Sequence, residues 1–128
     1  KILSAIDDEH LEKASIVGTA IRYKETIAIS TSSIQSESIQ LIAAQAADDL
    51  LDIKGINASF VIAQKPDGTV FISGRSLGDV NVQIILETLG GGGHLEVAGA
   101  QFKDTDIDVV KERLIQSIDQ YYEEWASK

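Results

Sequence analysis

The segment ETLGGGGHLEVAGAQF, residues 87–102, holds five of the ten glycines of the chain and one of its two histidines. Each glycine loses more backbone freedom on folding than any other residue, at a cost of about 0.5–1 kcal/mol relative to alanine in regular structure. A single glycine is enough to end a helix, so the end of a helix followed by a flexible loop does not account well for four consecutive glycines. The run instead favours a main chain that a ligand approaches more closely than a Cβ atom permits.

The order of elements around this run separates it from known phosphate-binding loops. P-loops and dinucleotide fingerprints place their glycines between a strand and a following helix, whereas here an amphipathic helix precedes the glycines and a strand follows them. The C-terminal end of a helix carries partial negative charge, so an anion at this run must be held by loop amides and side-chain donors. His94, directly after the run, is the first candidate donor.

Arg75 is the second candidate donor, and two interpretations of it stay open. It follows a predicted strand within residues 73–76 (SGRS). It is either an exposed arginine paired with a nearby carboxylate or a guanidinium fork directed at phosphate oxygens. Asp79 and Asn81 are candidates for contacts with a base or a ribose, although helix capping explains Asp79 equally well.

The composition limits the classes of function. The 128 residues are 44% hydrophobic, which suffices for the core of one domain. The absence of cysteine excludes disulfides, thiolate metal sites and cysteine nucleophiles. The net charge of −9 argues against binding of long nucleic acids, because an acidic domain repels the phosphate backbone. A small anionic ligand held by a few placed donors is still compatible with this charge.

Hydrophobic periodicity and turn signals predict the element order β-β-α-β-β-α-β-α. An apolar stripe from Ile39 to Leu50 predicts a helix, and residues 65–68 (KPDG) predict a tight hairpin. The predicted strands are residues 16–22, 26–30, 58–64, 69–74 and 97–102. The predicted helices are residues 36–52, a helix capped by Asp79, and a last helix that starts at Asp106 or Asp108 and packs through Val110, Leu114, Ile118, Tyr122 and Trp125. The fold class is therefore α/β of the α+β type, a mixed sheet of about five strands with three helices packed on it.

The pattern GGGH at residues 91–94, followed by Ala98 and Gly99, resembles the hallmark of the DHH-associated domain. That domain is the C-terminal half of Asp-His-His family phosphoesterases. The resemblance covers nearly the whole chain, and residues 73–76 are similar to the second motif of the family. It implies that residues 1–14 are a linker from an upstream catalytic DHH domain and that residues 15–128 are the DHH-associated substrate-binding domain. His94 favours the phosphoesterase branch, because synthetase-type relatives usually carry arginine-proline after the glycines.

Within that branch, residues 74–102 look most like the cyclic-di-AMP phosphodiesterases that are membrane-anchored through their N-terminal part. The resemblance implies a manganese-dependent bacterial hydrolase that converts cyclic-di-AMP to linear diadenylate. Two manganese ions are then expected in the upstream domain and none in this chain, which alone is expected to be inactive. The chain is expected to be a cytoplasmic domain of the anchored protein. This sequence differs from the family pattern at Val97, where the wider family often has alanine. The larger side chain is expected to narrow the ligand pocket.

The resemblance also assigns the ligand contacts. The phosphate-binding set it implies is Arg75, Ser76, Gly91, Gly92, Gly93 and His94, with Asn81 and Ala98 as further candidates. The implied partners are a cyclic dinucleotide or a short dinucleotide and the upstream DHH domain in cis, while pairing of two copies is left open. Two other functions stay open: the C-terminal domain of an oligoribonuclease or single-strand exonuclease of the DHH family, and a non-catalytic nucleotide-binding or dimerisation module.

Overall fold

The computed structural model describes residues 8–126, so residues 1–7 of the predicted linker lie outside the described part of the chain. The helices are α1 (Asp8–Gly18), α2 (Ile39–Leu50), α3 (Val82–Glu87) and α4 (Ile107–Tyr121), and a π-helical turn, Tyr122–Ala126, follows α4. The strands are β1 (Ile21–Tyr23), β2 (Ile27–Thr31), β3 (Ala58–Gln64), β4 (Val70–Ser76), β5 (Gly92–Gly93) and β6 (Val97–Phe102).

The strands form one sheet in the order β1-β2-β3-β4-β6-β5. Neighbouring strands are antiparallel except β2 and β3, which are parallel and are connected through α2. The predicted mixed α+β class is confirmed, although residues 8–126 hold six strands and four helices rather than about five and three. The additional strand is β5, whose two glycines are too few to show a strand period, and the additional helix is α1.

Helices cover both faces of the sheet, so the fold has three layers. On one face, α3 and α4 pack against buried strand residues such as Phe60, Ile72 and Ala98. On the other face, α1 and α2 pack against a second cluster that includes Val61 and Phe71. Because successive strand residues point to opposite faces, the sequence positions alternate between the two clusters along each central strand.

Helix α1 corrects the prediction of a strand at residues 16–22. Ile16 lies in the last turn of α1, and the strand β1 begins only at Ile21. A short apolar run is compatible with a strand or with a buried helix segment. Here Ile16, which is 1% exposed, packs into the same hydrophobic cluster as the apolar stripe of α2. The hydroxyl of Ser30 also donates to the carbonyl of Ile16 at 2.7 Å, which ties the end of α1 to β2. Residue 14, where the predicted linker ends, lies inside α1.

Helix α2 and the β3–β4 hairpin confirm the two clearest local predictions. The six apolar residues of the predicted stripe, from Ile39 to Leu50, are each at most 3% exposed. In the hairpin turn, Gly68 has a positive φ of 94° and its N–H donates to the carbonyl of Lys65 at 2.9 Å. The amide of Thr69 donates to the Asp67 carboxylate at 2.9 Å, and this bond holds the pKa of Asp67 below its usual value.

The start of α3 differs from the prediction. Asn81, and not Asp79, is the N-cap, because its Oδ1 accepts a hydrogen bond from the Ile84 amide at 3.1 Å. Gly78, with a φ of 118°, lies in the bend before the helix, and the amide of Asn81 donates to the hydroxyl of Tyr121 on α4 at 3.0 Å, which fixes the capping residue.

The last helix begins after Asp106, one of the two predicted starts, but its packing face is corrected at the C-terminal end. The predicted Tyr122 is half-buried and packs against the core together with Tyr121, which is 8% exposed, whereas the predicted Trp125 is 55% exposed. The π-helical turn from Tyr122 to Ala126 advances fewer degrees per residue, so the following side chains leave the stripe.

The turn between β1 and β2 gives a first testable prediction. Lys24 and Glu25 both have positive φ, 52° and 69°, in a turn for which glycine or asparagine is preferred. We expect Glu25→Gly to raise the free energy of unfolding by about 0.5 kcal/mol, because relief of the left-handed conformation outweighs the added freedom of the unfolded chain. Urea denaturation measures this change. Thr26→Gly, at the next position and without a positive φ, is the control and should lower stability; a loss of stability in Glu25→Gly would contradict the prediction.

Candidate functional site

One face of β6 is left uncovered on the side of the α1/α2 layer. Helix α2 lies over β3 and β4, and the β6 residues that point to this side are exposed or half-buried. The alternate residues of β6 are buried under α3 and α4. We call the set on the uncovered side the open face; its members are Ser73 and Arg75 of β4 and Val97, Gly99 and Gln101 of β6.

A cleft of about 460 Å3 lies on the open face beside the glycine run. Strands β4 and β6 form its floor, the glycine run forms one wall, and Gln40 at the start of α2 contributes to another. Ser73, Gln101 and the main chain of Gly91 and Gly92 supply polar groups to its lining. Its volume falls in the range of small-molecule sites, and its polar groups suit a phosphate, a ribose or the edge of a base.

The strand register places Arg75, Val97 and His94 in one row across the sheet. Arg75 is the partner of Val97 in the β4–β6 ladder, and the amide of His94 donates to the carbonyl of Val97 at 2.8 Å just beyond β5. Residues in register point to the same face, and neighbouring strands are about 4.8 Å apart, so the Cα atoms of Arg75 and His94 are about 10 Å apart. Two donors predicted from separate motifs therefore flank Val97.

The guanidinium of Arg75 is held by two acceptors. Its Nε donates to Asp48 Oδ1 of α2 at 3.1 Å, and its Nη1 donates to the carbonyl of Gly74 at 2.9 Å. The carboxylate interpretation of Arg75 is therefore observed, and the side chain is 15% exposed. Both interpretations are compatible, because the Nη2 donors have no protein partner in residues 8–126 and are available to an anion.

His94 lies at the tip of the β5–β6 hairpin, which is fastened to the SGRS motif and to α3. Its Nδ1 accepts a hydrogen bond from the Glu96 amide at 3.3 Å, an arrangement that leaves the proton on Nε2 as a donor. The amide of Ser76 donates to the carbonyl of Glu96 at 2.9 Å, and the amide of Val82 donates to the carbonyl of Leu95 at 3.1 Å. These bonds hold both predicted motifs in a fixed relation.

The glycine run packs against β6 instead of forming a free loop. A Cβ atom at Gly91 would lie 2.2 Å from the carbonyl oxygen of Gly99, and one at Gly93 would lie 2.4 Å from that of Val97. The prediction that a ligand approaches the main chain is corrected at these two positions, because the space that a Cβ atom would fill is taken by β6 of the protein itself. At Gly92 a Cβ atom would meet nothing within 4 Å, so this position leaves room for a ligand.

The sequence predicted that the main-chain amides of Gly91, Gly92 and Gly93 bind the phosphate together. The backbone hydrogen bonds of the structure correct this prediction. The amide of Gly91 donates to the carbonyl of Leu86 at 2.8 Å. Gly92 and Gly99 are partners in the β5–β6 ladder, and the alternation that follows from the hairpin tip makes them a hydrogen-bonded pair. The amide of Gly93 then points away from β6, along the free edge of the edge strand β5. One of the three amides is therefore available to a ligand.

Three other predicted residues lie away from the open face. Ser76 and Ala98 are each 5% exposed and follow Arg75 and Val97 by one position, so they point to the opposite side of the sheet. The hydroxyl of Ser76 accepts from the Gly78 amide at 2.9 Å. Asn81 caps α3. Their positions give them packing and capping contacts and correct their assignment to the ligand-facing set.

The sequence model of the DHHA1 domain matches residues 13–125, which is most of the chain. The chain belongs to the DHHA1 domain family. The resemblance drawn from the motifs GGGH and SGRS is thereby confirmed, and the geometry described above is that of a DHHA1 domain.

Relatives of this DHHA1 domain include two proteins named cyclic-di-AMP phosphodiesterase. It is 45% identical over 111 residues to PdeA of Listeria monocytogenes, which covers 87% of this chain and 17% of that protein. It is 42% identical over 125 residues to GdpP of Bacillus subtilis, which covers 96% of this chain and 19% of that protein. The chain thus spans less than a fifth of the length of these relatives. Among solved structures, an exopolyphosphatase-related protein from Bacteroides fragilis shares the fold, with a TM-score of 0.73, 21% identity and coverage of 90% of this chain and 35% of that chain.

Sequence reasoning missed several residues that line the cleft of the DHHA1 domain. Ser73 carried a usable signal, because it lies two positions before Arg75 and a strand period of two puts both on one face. Gly99 and Gln101 share a face with Val97 for the same reason. Gln40 gave no such signal, since its place in the cleft depends on how α2 packs on the sheet.

Two further observations describe the DHHA1 domain between residues 8 and 126. No group of three or more histidine, cysteine, aspartate or glutamate side chains in this range is arranged to hold a metal ion. None of the helices in it is long and apolar enough to cross a membrane.

Proposed function

We propose that this DHHA1 domain is the substrate-binding part of a manganese-dependent cyclic-di-AMP phosphodiesterase that produces linear diadenylate. The names of two relatives at 45% and 42% identity support the proposal. The observation that carries it is the row in which Arg75 and His94 flank Val97 on the open face. In this proposal an upstream DHH domain supplies catalysis, a segment of the longer protein anchors it to the membrane, and the DHHA1 domain is cytoplasmic.

Arg75 and His94 bind phosphate oxygens from two sides of the row. The free Nη2 donors of Arg75 form charge-assisted hydrogen bonds, and His94 donates its Nε2–H. Gly92 lets the phosphate approach the main chain, and the edge amide of Gly93 adds one donor. Donors fixed before the ligand arrives hold the phosphate in one orientation and reduce the cost of ordering the site on binding.

The manganese ions of the proposed reaction are assigned to the upstream domain. The described residues lack a suitable group of metal ligands, and the whole chain has only two histidines and no cysteine. A pair of divalent ions needs several carboxylate or imidazole ligands close together, and this donor set does not fit that requirement. The residues of this chain therefore bind and orient the substrate, and none of them takes part in bond cleavage.

Charge and size favour a dinucleotide over a long strand. Single-strand binding proteins track the backbone with a positively charged groove and stack bases on aromatic side chains. Here acidic residues outnumber lysine and arginine by 20 to 11. The cleft of about 460 Å3 lies beside the row of Arg75 and His94, and its one aromatic lining residue, Phe71, is only 3% exposed and so offers no surface for stacking a base. The oligoribonuclease alternative predicts that the full-length protein prefers a short oligoribonucleotide. The non-catalytic alternative predicts that it binds nucleotides without turnover.

The test compares the full-length protein with the 128-residue chain in the presence of manganese. We expect the full-length protein to convert cyclic-di-AMP to linear diadenylate, and the 128-residue chain to show no turnover because it lacks the metal ligands. Product formation is followed by chromatography, with linear diadenylate and a short oligoribonucleotide as competing substrates. Sustained hydrolysis by the 128-residue chain, or preferential cleavage of the oligoribonucleotide by the full-length protein, would overturn the proposal.

A further inference from the structure

We propose that Asp48, on helix α2, is a positioning residue that orients the guanidinium of Arg75 toward the phosphate of the ligand. The inference rests on the function proposed above and extends it to a residue outside both sequence motifs. Asp48 Oδ1 accepts from Arg75 Nε at 3.1 Å. Asp48 lies 27 positions before Arg75 in the chain, so the pair forms only when α2 packs on the sheet.

The guanidinium is fixed in place but keeps donors for a ligand. Arginine has five N–H donors in a planar fork. Asp48 takes the donor of Nε, and the carbonyl of Gly74 takes one donor of Nη1. The other three, including both donors of Nη2, have no protein partner in the described residues. Two acceptors therefore set the plane of the guanidinium, and the remaining edge can meet a phosphate.

The place of Asp48 is itself fixed by the contact between α2 and β3. Ser59 is the register partner of Arg75 in the β3–β4 ladder. Its buried hydroxyl donates to the carbonyl of Ala47, the residue before Asp48, at 2.6 Å. This bond fastens the C-terminal half of α2 directly over the row that contains Arg75. The buried hydrogen bond between Ser59 and Ala47 thus fixes the part of α2 that carries Asp48, and this places the Asp48 carboxylate beside Arg75.

Asp48 could instead compete with the phosphate for Arg75, and the geometry argues against that role. The Asp48 side chain is 63% exposed, so water and salt screen its repulsion of an anion, whereas the Arg75 side chain is only 15% exposed. Asp48 also engages a single N–H. Its removal would therefore free the guanidinium to rotate, and binding of the phosphate would have to restrict that motion again.

Asp49 provides a matched control on the same helix. Its carboxylate pairs with Lys13 of α1 at 3.8 Å and is 47% exposed. Asp49→Ala removes the same charge from the adjacent position without touching Arg75. A general electrostatic effect would make the Asp48 and Asp49 variants behave alike, whereas the positioning role affects only Asp48.

The experiment measures hydrolysis of cyclic-di-AMP by the full-length protein under steady-state conditions. We expect Asp48→Ala to raise KM about threefold to tenfold and to leave kcat within about twofold, because it loosens binding of the substrate and not the chemistry. Asp48→Asn keeps an oxygen acceptor for Nε and should raise KM less than Asp48→Ala. Asp49→Ala should match the wild-type KM within about twofold.

A double-variant cycle separates the role of Asp48 from the proposed function. If Asp48 acts through Arg75, Asp48→Ala has no further effect on KM in an Arg75→Ala background. An equal rise in both backgrounds, or an Asp49→Ala effect as large as that of Asp48→Ala, would overturn the inference. A rise in KM for Arg75→Ala without one for Asp48→Ala would overturn only the role of Asp48. An unchanged KM in Arg75→Ala would instead overturn the phosphate-binding assignment, and the inference with it.

Discussion

Gly91→Ala is expected to lower the free energy of unfolding by about 3 kcal/mol, the upper part of the range for overpacking. The added methyl group would lie 2.2 Å from the carbonyl oxygen of Gly99 and within 2.9 Å of two atoms of Ala100. Two of these three neighbours are main-chain atoms of the central part of β6, so the clash cannot be relieved by rotating a side chain. Urea denaturation of wild-type and variant chains, followed by far-UV circular dichroism, measures the loss.

Gly92→Ala is the matched control for this prediction. It adds the same methyl group one residue later, where nothing lies within 4 Å and φ is not positive. We expect its stability to stay within about 0.5 kcal/mol of wild type, as for an exposed substitution. Equal losses in the two variants would show that the glycine run is needed for its backbone freedom and not for the close contact between Gly91 and β6.

Arg75→Ala in the full-length protein is expected to lower kcat/KM for cyclic-di-AMP about tenfold to a hundredfold. The loss corresponds to one charge-assisted hydrogen-bonding group, about 1.5–3 kcal/mol. Arg75→Lys should recover little of it, because an ammonium group cannot present the planar fork that Asp48 and Gly74 hold in place. Manganese content should not change, since Arg75 lies in the substrate-binding part. Steady-state kinetics with metal analysis of each variant makes the measurement.

Arg113→Ala is the control for the loss of a positive charge. Arg113 lies on α4, on the opposite side of the sheet, with its guanidinium over the ring of Phe102 at 5.2 Å. We expect its kcat/KM to stay close to the wild-type value. Wild-type kinetics in Arg75→Ala, or a comparable loss in Arg113→Ala, would contradict the assignment of Arg75 to the phosphate of the ligand.

Local sequence signals predicted the elements whose structure depends on local contacts. The stripe from Ile39 to Leu50 predicts α2 because every third or fourth side chain is buried, and the turn before Gly68 predicts the β3–β4 hairpin. Helix α1 and the cap of α3 were missed for a common reason. Ile16 is helical and packs into the same cluster as α2, and the capping residue Asn81 is held by a hydrogen bond from its amide to the Tyr121 hydroxyl of α4. Both facts depend on tertiary contacts that short windows do not contain.

The candidate site also combines features that local sequence predicts with features that depend on tertiary contacts. The motifs predicted Arg75 and His94 as ligand-binding residues, and their placement in one row depends on pairing of β4 with β6 and of the hairpin tip with Val97. The sequence assigned Ser76 to the same set, and a shift of one residue places its side chain on the opposite face. Asp48 carried no signal at all, because only the packing of α2 brings it to Arg75.

The two bonds that join the hairpin tip to the rest of the domain, from Ser76 to Glu96 and from Val82 to Leu95, also bear on fluctuations of the native state. Segments linked in this way open together as one cooperative unit, so a local unfolding event that frees the imidazole also loosens the strand end that carries the guanidinium. Amide hydrogen exchange at residues 76 and 82 would then slow in parallel when a nucleotide binds.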